Sequence, residues 1–414
     1  MELNWFKILF WSGLATVFYA YIGYGIVLFF LVKLKSLFPK QQKTVHKTHT
    51  GHKVTFIVCA YNESEWIAQK VINSLQLRLP CETRFLFITD GSDDATTQRT
   101  TEAFQQMAPS SAWEVIHEKE RKGKIAAFHR GMLSYGIWPG CPQEQHIIVS
   151  TDANTLLNPE ALERMVAHFN TPLIGAVAGE KRIKMEEKDA ASAAGEGIYW
   201  RYESLLKKWD ADLWTVVGAA GELFAFRSSL YEAVPPDTLV EDFYLTMRIA
   251  QRGYRVAYEP EAYAVETSSA SVSEEMKRKV RIAAGGLQAV VRLAPLLHIF
   301  RYGWLSFQYI SHRVLRWTLA PLFLPLIFVS NVMIVQNSAQ SGFQSAFYGW
   351  VLYAQMAFYL LAAGGYLLEQ RRLKIKIFFI PYYFCLMNYA MYAGLVRLLR
   401  GRQSVIWDKA KRAV

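Results

Sequence analysis

IIVSTDAN, residues 147–154, is an apolar run that ends in an acid, a small residue and a carboxamide. A run without polar residues on either face is typical of a strand that is buried on both sides in a parallel sheet. In open α/β sheets, ligands bind at the carboxyl ends of such strands. Asp152 and Asn154 lie at that end, where two oxygen donors can bind one hard cation. The same residues also fit a turn that leads into the next helix, so both interpretations stay open.

Strand patterns alternate with helical patterns from about residue 52 to residue 267. This alternation predicts βαβ units on a mostly parallel sheet. Three further strands are predicted, each running into polar residues: VTFIVCA (54–60) before Tyr61-Asn62-Glu63, RFLFIT (84–89) before Asp90, and 113–117 before the basic loop 119–124. Because four polar ends share one edge of the sheet, we expect a pocket with acids for a base or metal and cations for phosphates.

The composition indicates a membrane protein with a soluble part. Hydrophobic residues make up 52% of the 414 residues, and the formal net charge is +11. Excess Lys and Arg in cytoplasmic loops explains this charge, so no nucleic-acid partner is expected. The four cysteines lie far apart, which favours neither a zinc site nor a disulfide framework and fits a reducing compartment.

Four apolar stretches are long enough to span a bilayer. They are residues 8–32, 314–335, 343–368 and 375–399. Lys33 and Lys35 follow the first, which predicts that the next domain is cytoplasmic. Counting the membrane passes then places the basic C-terminal tail outside. The rule that Lys and Arg are enriched on the cytoplasmic side places it inside, and this conflict stays open. The predicted segments are a transmembrane helix (1–33), a basic linker (34–51), a cytosolic α/β domain (52–270), interfacial amphipathic helices (271–312), a transmembrane region (313–400) and a basic tail (401–414).

Three stretches after the predicted strands are candidates for the same site. Gly218 to Gly221 forms a small-residue turn that either lets backbone approach a ligand or joins two strands of a hairpin. Glu241 and Asp242 open a helix, where acids are favoured by the helix dipole in any case. The charged amphipathic segment 274–286 faces its cations toward lipid headgroups or toward a bound diphosphate.

The dinucleotide pattern G-x-G-x-x-G does not follow the first strand, and the pattern G-x-x-x-x-G-K-S/T does not occur. Instead the chain resembles the membrane-anchored family 2 glycosyltransferases of the GT-A group, which includes cellulose, hyaluronan and poly-N-acetylglucosamine synthases. The motifs that carry the resemblance occur in the family's order: VTFIVCAYNE, DGSDD, KGKIAAFHRG, TDAN, a glycine-rich turn and VEDF. The resemblance implies a GT-A, Rossmann-like cytosolic domain with transmembrane helices at both ends.

The resemblance also implies a role for each matching residue. Tyr61, Glu63 and Asp90 would hold the uracil and ribose of a UDP-sugar, and Lys124 would lie near its phosphates. Asp152 and Asn154 match the family's D-x-D element, which holds Mg²⁺ or Mn²⁺. Asp242 matches the general base that deprotonates an acceptor hydroxyl. Further substrate-binding positions are Gly221, Glu241 and Arg281.

Two positions depart from the family pattern. The second acid of D-x-D is Asn154, whose neutral carboxamide bonds more weakly to a divalent cation. The aromatic platform of the processive Q-x-x-R-W element is replaced by Ile282, so polymer synthesis and transfer of a few sugars are equally compatible with the sequence.

The functional expectation is an inverting glycosyltransferase with a glycan or lipid-linked acceptor. We expect it in a bacterial inner membrane, with its catalytic domain in the cytoplasm and with accessory export subunits as further partners. The alternatives are a polyprenyl-phosphate sugar transferase and a non-catalytic membrane subunit that retains a vestigial nucleotide pocket.

Overall fold

The computed structural model describes residues 2–38, 51–108, 112–138, 145–184, 190–267, 272–337, 343–371 and 375–401. Most of the predicted linker and all but the first residue of the predicted tail therefore lie outside the described residues. An eight-stranded sheet organises the soluble part, with the strand order β3-β2-β1-β4-β7-β6-β8-β5. Its strands are β1 (Lys53–Ala60), β2 (Glu82–Asp90), β3 (Trp113–Glu118), β4 (His146–Asp152), β5 (Thr155–Leu157), β6 (Ile174–Lys184), β7 (Leu223–Arg227) and β8 (Arg255–Thr267).

Helices cover the sheet and form the membrane-proximal part. In the soluble part they are α3 (Ile67–Leu75), α4 (Thr96–Met107), α5 (Lys124–Ser134), α6 (Ala161–Ala167), α7 (Ala190–Leu213) and α8 (Glu241–Gln251). Before the soluble part, the chain forms α1 (Glu2–Phe18) and α2 (Tyr24–Ser36), which are joined by one π-helical turn. After it come α9 (Val272–Arg292), α10 (Ile299–Tyr302), α11 (Trp304–Tyr309), α12 (Leu315–Trp317), α13 (Leu319–Asn337), α14 (Phe343–Gln370) and α15 (Lys376–Leu399).

The first half of the sheet has the predicted parallel order. Strand β1 pairs in parallel with β2 and β4, and β2 pairs in parallel with β3, so all four carboxyl ends lie on one edge. Alternate residues of these strands enter two separate apolar cores, one on each face. This burial on both faces explains the continuous apolar runs in the sequence.

The second half of the sheet is mixed rather than parallel. Strand β7 runs antiparallel to both β4 and β6, and β5 runs antiparallel to β8. The direction of β7 follows from its starting point, because Leu223 pairs with Thr151 at the edge where the four predicted strands end. A strand that enters at that edge can only run away from it. The glycine-rich turn before β7 is thereby brought beside the end of β4.

Three described helices are long and apolar enough to cross a membrane by length and composition. They cover Asn4–Ser36, Leu319–Asn337 and Ala346–Gln370. The last apolar stretch also forms a helix, α15, but it is not among these three. Its polar Asn388, its several tyrosines and Pro381 reduce its apolar character.

A buried ionic cluster joins the membrane-proximal helices to the soluble part. Glu203 on α7 accepts from Arg313 at 2.7 Å and from Arg316 at 3.1 Å. Asp210, about two turns after Glu203 on the same face of α7, lies 2.5 Å from the Nδ1 atom of His312 and accepts from the hydroxyl of Tyr24. Because these side chains are buried, except for the partly buried Arg313, each charge depends on its partners for compensation.

Replacing Glu203 with Ala should destabilise the protein by about 3–5 kcal/mol, because it leaves the buried Arg316 and the partly buried Arg313 without their carboxylate partner. Thermal unfolding of the detergent-solubilised protein measures this loss. The exposed Glu261→Ala is the control and should stay within about 0.5 kcal/mol of wild type. Equal stability of the two variants would contradict the assigned role of the cluster.

Candidate active site

Lys124 connects the candidate site residues. It is the first residue of α5 and follows Gly123, whose φ of +93° suits glycine and turns the chain toward the sheet edge. Its Nζ atom lies 2.7 Å from Oδ1 of Asp152 and 2.9 Å from Oε1 of Glu241. One ammonium therefore bridges the end of β4 and the start of α8.

Asp242 lies beside this bridge. Its Oδ1 accepts from the backbone N–H of Phe243 at 2.8 Å, as expected at a helix start. A Cβ atom added to Gly221 would lie 3.2 Å from Oδ2 of Asp242 and 3.3 Å from Nζ of Lys124. The glycine-rich turn thus approaches the charged groups closely.

The acids at this site have different proton affinities. Burial, together with repulsion from Glu241, raises the pKa of Asp242 to about 7, although Lys124 acts in the opposite direction. Burial also acts to raise the pKa of Glu241, but the ammonium of Lys124 outweighs it and holds this pKa below its usual value. Burial opposes the charge of Lys124, but Asp152 and Glu241 keep its pKa well above the usual value. Asp242 is therefore the acid that can exchange a proton near neutral pH.

Arg281 on α9 provides a second cation at this edge. Its guanidinium donates to the carbonyl of Leu239 at 3.3 Å, just before α8 begins. Burial lowers its pKa, and the opposing influence of Glu241, Asp242 and Asp152 indicates that it faces the same acids. The amphipathic segment therefore directs this cation toward the site rather than toward lipid headgroups.

Asp90 has a different environment from the one expected for a nucleotide ligand. Its buried carboxylate accepts from the backbone N–H groups of Lys122 at 2.9 Å and Gly123 at 2.6 Å. Arg130 donates to its other oxygen at 2.8 Å. Asp90 therefore holds the loop that precedes Lys124, in addition to any contact with a ligand.

Tyr61 and Glu63 follow β1 at the same edge. The guanidinium of Arg121, which belongs to the basic loop 119–124, lies 3.4 Å from the centroid of the Tyr61 ring. Glu63 is buried, and its backbone N–H donates to Oγ1 of Thr96 at 2.8 Å. Both residues thus follow the end of β1 at the same edge of the sheet, on its β1–β2 side.

The residues at the end of β4 fit a cation that is held jointly with a substrate. Within the described residues, no group of three or more His, Cys, Asp or Glu side chains could hold a metal ion. Mg²⁺ in phosphate-transfer sites is commonly bound by one or two carboxylates together with substrate phosphates. Asp152 supplies one partly exposed carboxylate at the open edge, and Asn154 follows two residues later. The donor set therefore fits shared coordination and not a preformed protein cage.

A second charged network under the glycine-rich turn was missed by sequence reasoning. Lys181 on β6 forms ion pairs with Glu222 and Glu266, and Arg278 lies 3.5 Å from Glu266. The network ties the residue after Gly221 to helix α9. The signal in the sequence was the charged pair Glu180 and Lys181, which directly follows the apolar run 174–179.

The mixed sheet with its acidic edge is a GT-A fold, the Rossmann-like architecture of many glycosyltransferases. Residues 52–285 match the family described as "Glycosyltransferase like family 2". Because this match covers more than half of the chain, the chain belongs to glycosyltransferase family 2. It is therefore a glycosyltransferase by family, which confirms the resemblance carried by the motifs.

The chain is similar to poly-beta-1,6-N-acetyl-D-glucosamine synthases. It is 26% identical to the one from Staphylococcus aureus (strain COL) over 246 residues, which are 58% of this chain and 56% of the relative. It is 24% identical to the one from Staphylococcus epidermidis over 279 residues, which are 65% of this chain and 62% of the relative. The chain therefore spans about three fifths of the length of these relatives.

One solved structure shares nearly the whole architecture. It is a mannosyltransferase from Pyrobaculum calidifontis in complex with GDP-Man and Mn²⁺, with a TM-score of 0.68 and 21% sequence identity. The similarity covers 96% of this chain and 99% of that chain. It supports the fold, including the helices at both ends of the soluble part.

Replacing Gly221 with Ala should reduce turnover by up to about 10²-fold without unfolding the protein, because the new methyl group displaces Asp242 or Lys124. Initial rates and thermal unfolding measure the two effects separately. Gly349→Ala is the matched control, because a Cβ atom there meets no atom within 4 Å. Full activity in Gly221→Ala would show that this close approach has no functional importance.

Proposed function

We propose that the protein is an inverting glycosyltransferase that moves a sugar from a UDP-sugar to a membrane-associated glycan or lipid-linked acceptor. The observation that carries the proposal is the position of Asp242 beside the Lys124 bridge, with its pKa near 7. A carboxylate of this pKa can accept a proton at neutral pH and is separated from Asp152 by a cation.

In the proposed reaction, the carboxylate of Asp242 accepts the proton of an acceptor hydroxyl. The hydroxyl oxygen then attacks the anomeric carbon while the bond from that carbon to the diphosphate breaks. Attack on the face opposite the leaving group inverts the configuration of the sugar. Lys124 and Arg281 offset the negative charge that develops on the departing UDP.

Asp152, together with Asn154 and the donor phosphates, would hold Mg²⁺ or Mn²⁺. When bound, the cation neutralises charge on the diphosphate and makes it a better leaving group. The mannosyltransferase that shares the fold was solved with Mn²⁺, which supports a divalent cation here. Tyr61, Glu63 and Asp90 are proposed to bind the uracil and ribose.

The relatives support an amino sugar as the donor and cell-surface polysaccharide as the product. We therefore propose transfer of a hexose or an N-acetylhexosamine at the cytoplasmic face of a bacterial inner membrane, with accessory subunits for export. The three apolar helices support the membrane location. Ile282, 37% exposed on α9, offers no aromatic face for stacking an acceptor sugar, so the proposal includes addition of one or a few sugars as well as polymer synthesis.

Asp242→Asn should lower the transfer rate by about 10²–10⁴-fold while UDP binding stays intact, because the amide cannot accept the proton. Radiolabelled sugar transfer in membranes and calorimetric titration with UDP measure the two properties. The exposed Asp212→Asn is the control.

Retained turnover in Asp242→Asn would contradict the proposal and favour a polyprenyl-phosphate acceptor, whose phosphate needs no strong base. A wild-type protein that neither transfers nor hydrolyses any UDP-sugar would instead favour the non-catalytic subunit.

The transfer rate should rise with pH through about 7, because Asp242 accepts a proton only when its carboxyl group is ionised. In Glu241→Gln this inflection should move to lower pH, since the neighbouring negative charge that raises the pKa is gone and Lys124 remains. The pH profile of kcat/KM measures both, with the exposed Glu261→Gln as the control. An unchanged inflection in Glu241→Gln would show that the group whose titration controls the rate is not Asp242.

A further inference from the structure

Lys70 is a buried lysine that the proposed reaction does not use. It lies on α3 with a relative exposure of 0%. Its Nζ atom donates to Oγ1 of Thr151 at 2.9 Å and to the carbonyl of Thr155 at 2.8 Å, and it lies 3.4 Å from Oγ1 of Thr155. The ammonium therefore contacts both ends of the turn that contains Asp152 and Asn154.

The hydroxyls of the two threonines connect Lys70 to the backbone of the site. The hydroxyl of Thr155 donates to the carbonyl of Asp152 at 2.9 Å. The hydroxyl of Thr151 donates to the carbonyl of Glu222 at 2.7 Å, just after the glycine-rich turn. Lys70 thus fixes the backbone of Asp152 and links it to the second segment that borders the site.

This arrangement has an energetic cost. The other buried lysines of the described chain have acidic partners, Lys181 with Glu222 and Lys207 with Glu180. The hydrogen-bond partners of Lys70 among the described residues are neutral oxygens. Burial lowers the pKa of Lys70 to about 7, although Asp152 acts against this shift. A methionine would fill the same space without this desolvation cost, so packing alone does not account for the lysine.

We propose that Lys70 is a positioning residue that holds the Thr151–Thr155 turn, so that the Asp152 carboxylate is oriented to bind a divalent cation together with a nucleoside diphosphate. The inference rests on the proposed function of the site, and it assigns to Lys70 no contact with substrate. Three hydrogen-bond donors on one flexible stem can satisfy several oxygens of a tight turn at once, which a single hydroxyl cannot do.

The same helix provides a matched control. Asn73, one turn after Lys70, forms two hydrogen bonds of 2.8 Å with the backbone of Leu157 on β5. It ties α3 to the same segment, but beyond the turn that contains Asp152. If α3 only stabilises the fold, removing either side chain should have the same kind of effect.

Calorimetric binding of UDP in the presence of Mn²⁺ to the full-length protein tests the proposal, with thermal unfolding measured in parallel. Lys70→Met should weaken this binding by about 10–100-fold, as loss of a group that orients a metal ligand typically does. Asn73→Ala should lower the unfolding temperature but leave the binding constant within about twofold. Thr155→Val keeps Lys70 but removes the Thr155 hydroxyl that donates to the carbonyl of Asp152. It should also weaken binding, and Thr155→Ser should restore binding.

Equal binding by wild type, Lys70→Met and Thr155→Val would overturn the inference while leaving the proposed function intact. If Lys70→Met does not fold, the Thr155→Val and Thr155→Ser pair decides the outcome. The absence of any Mn²⁺-dependent UDP binding by the wild-type protein would instead contradict the proposed function.

Discussion

The charged groups of this site depend on one ammonium between acids from separate parts of the chain. Lys124 lies within 3 Å of both Asp152 and Glu241, and Asp242 follows directly. Without a cation, three carboxylates at one sheet edge would repel one another and at least one would take up a proton. Lys124 compensates Glu241 and leaves Asp242 with the raised pKa. The difference between two adjacent acids, one kept ionised and one able to exchange a proton, is what base catalysis requires.

The sheet explains why these residues meet. Parallel pairing of β1, β2 and β4 brings the predicted strand ends to one edge, and the antiparallel β7 starts at that edge with Gly221 just before it. Local sequence was sufficient for this part, because an apolar run followed by polar residues reveals both a buried strand and its free end. The first four strands and the place of Asp152 at a strand end were therefore predictable from short segments, whereas the roles of Glu241 and Asp242 were implied by the resemblance.

Other features depend on partners far apart in the chain and could not be read from local patterns. Asp90 has the sequence context of a ligand contact, yet its carboxylate also holds the backbone before Lys124. Lys70 occurs in an ordinary amphipathic helix, and only the folded structure brings it under the turn that contains Asp152. The second half of the sheet is mixed because β7 returns from the site edge, a direction that apolar runs do not encode.

The site also extends into the membrane-proximal part. Arg281 lies on α9, and the family match continues to residue 285, beyond the last strand of the sheet. A Cβ atom on Gly394 of α15 would lie 2.8 Å from Ala283 and from the backbone of Ala284, so the two helices are in close contact. The position of Arg281 is therefore set partly by a helix of the membrane-proximal region and partly by α8. Because a close glycine contact tolerates little sliding, movement of α15 would also move a cation of the site. This geometry links the side of the site that holds Arg281 to helix α15.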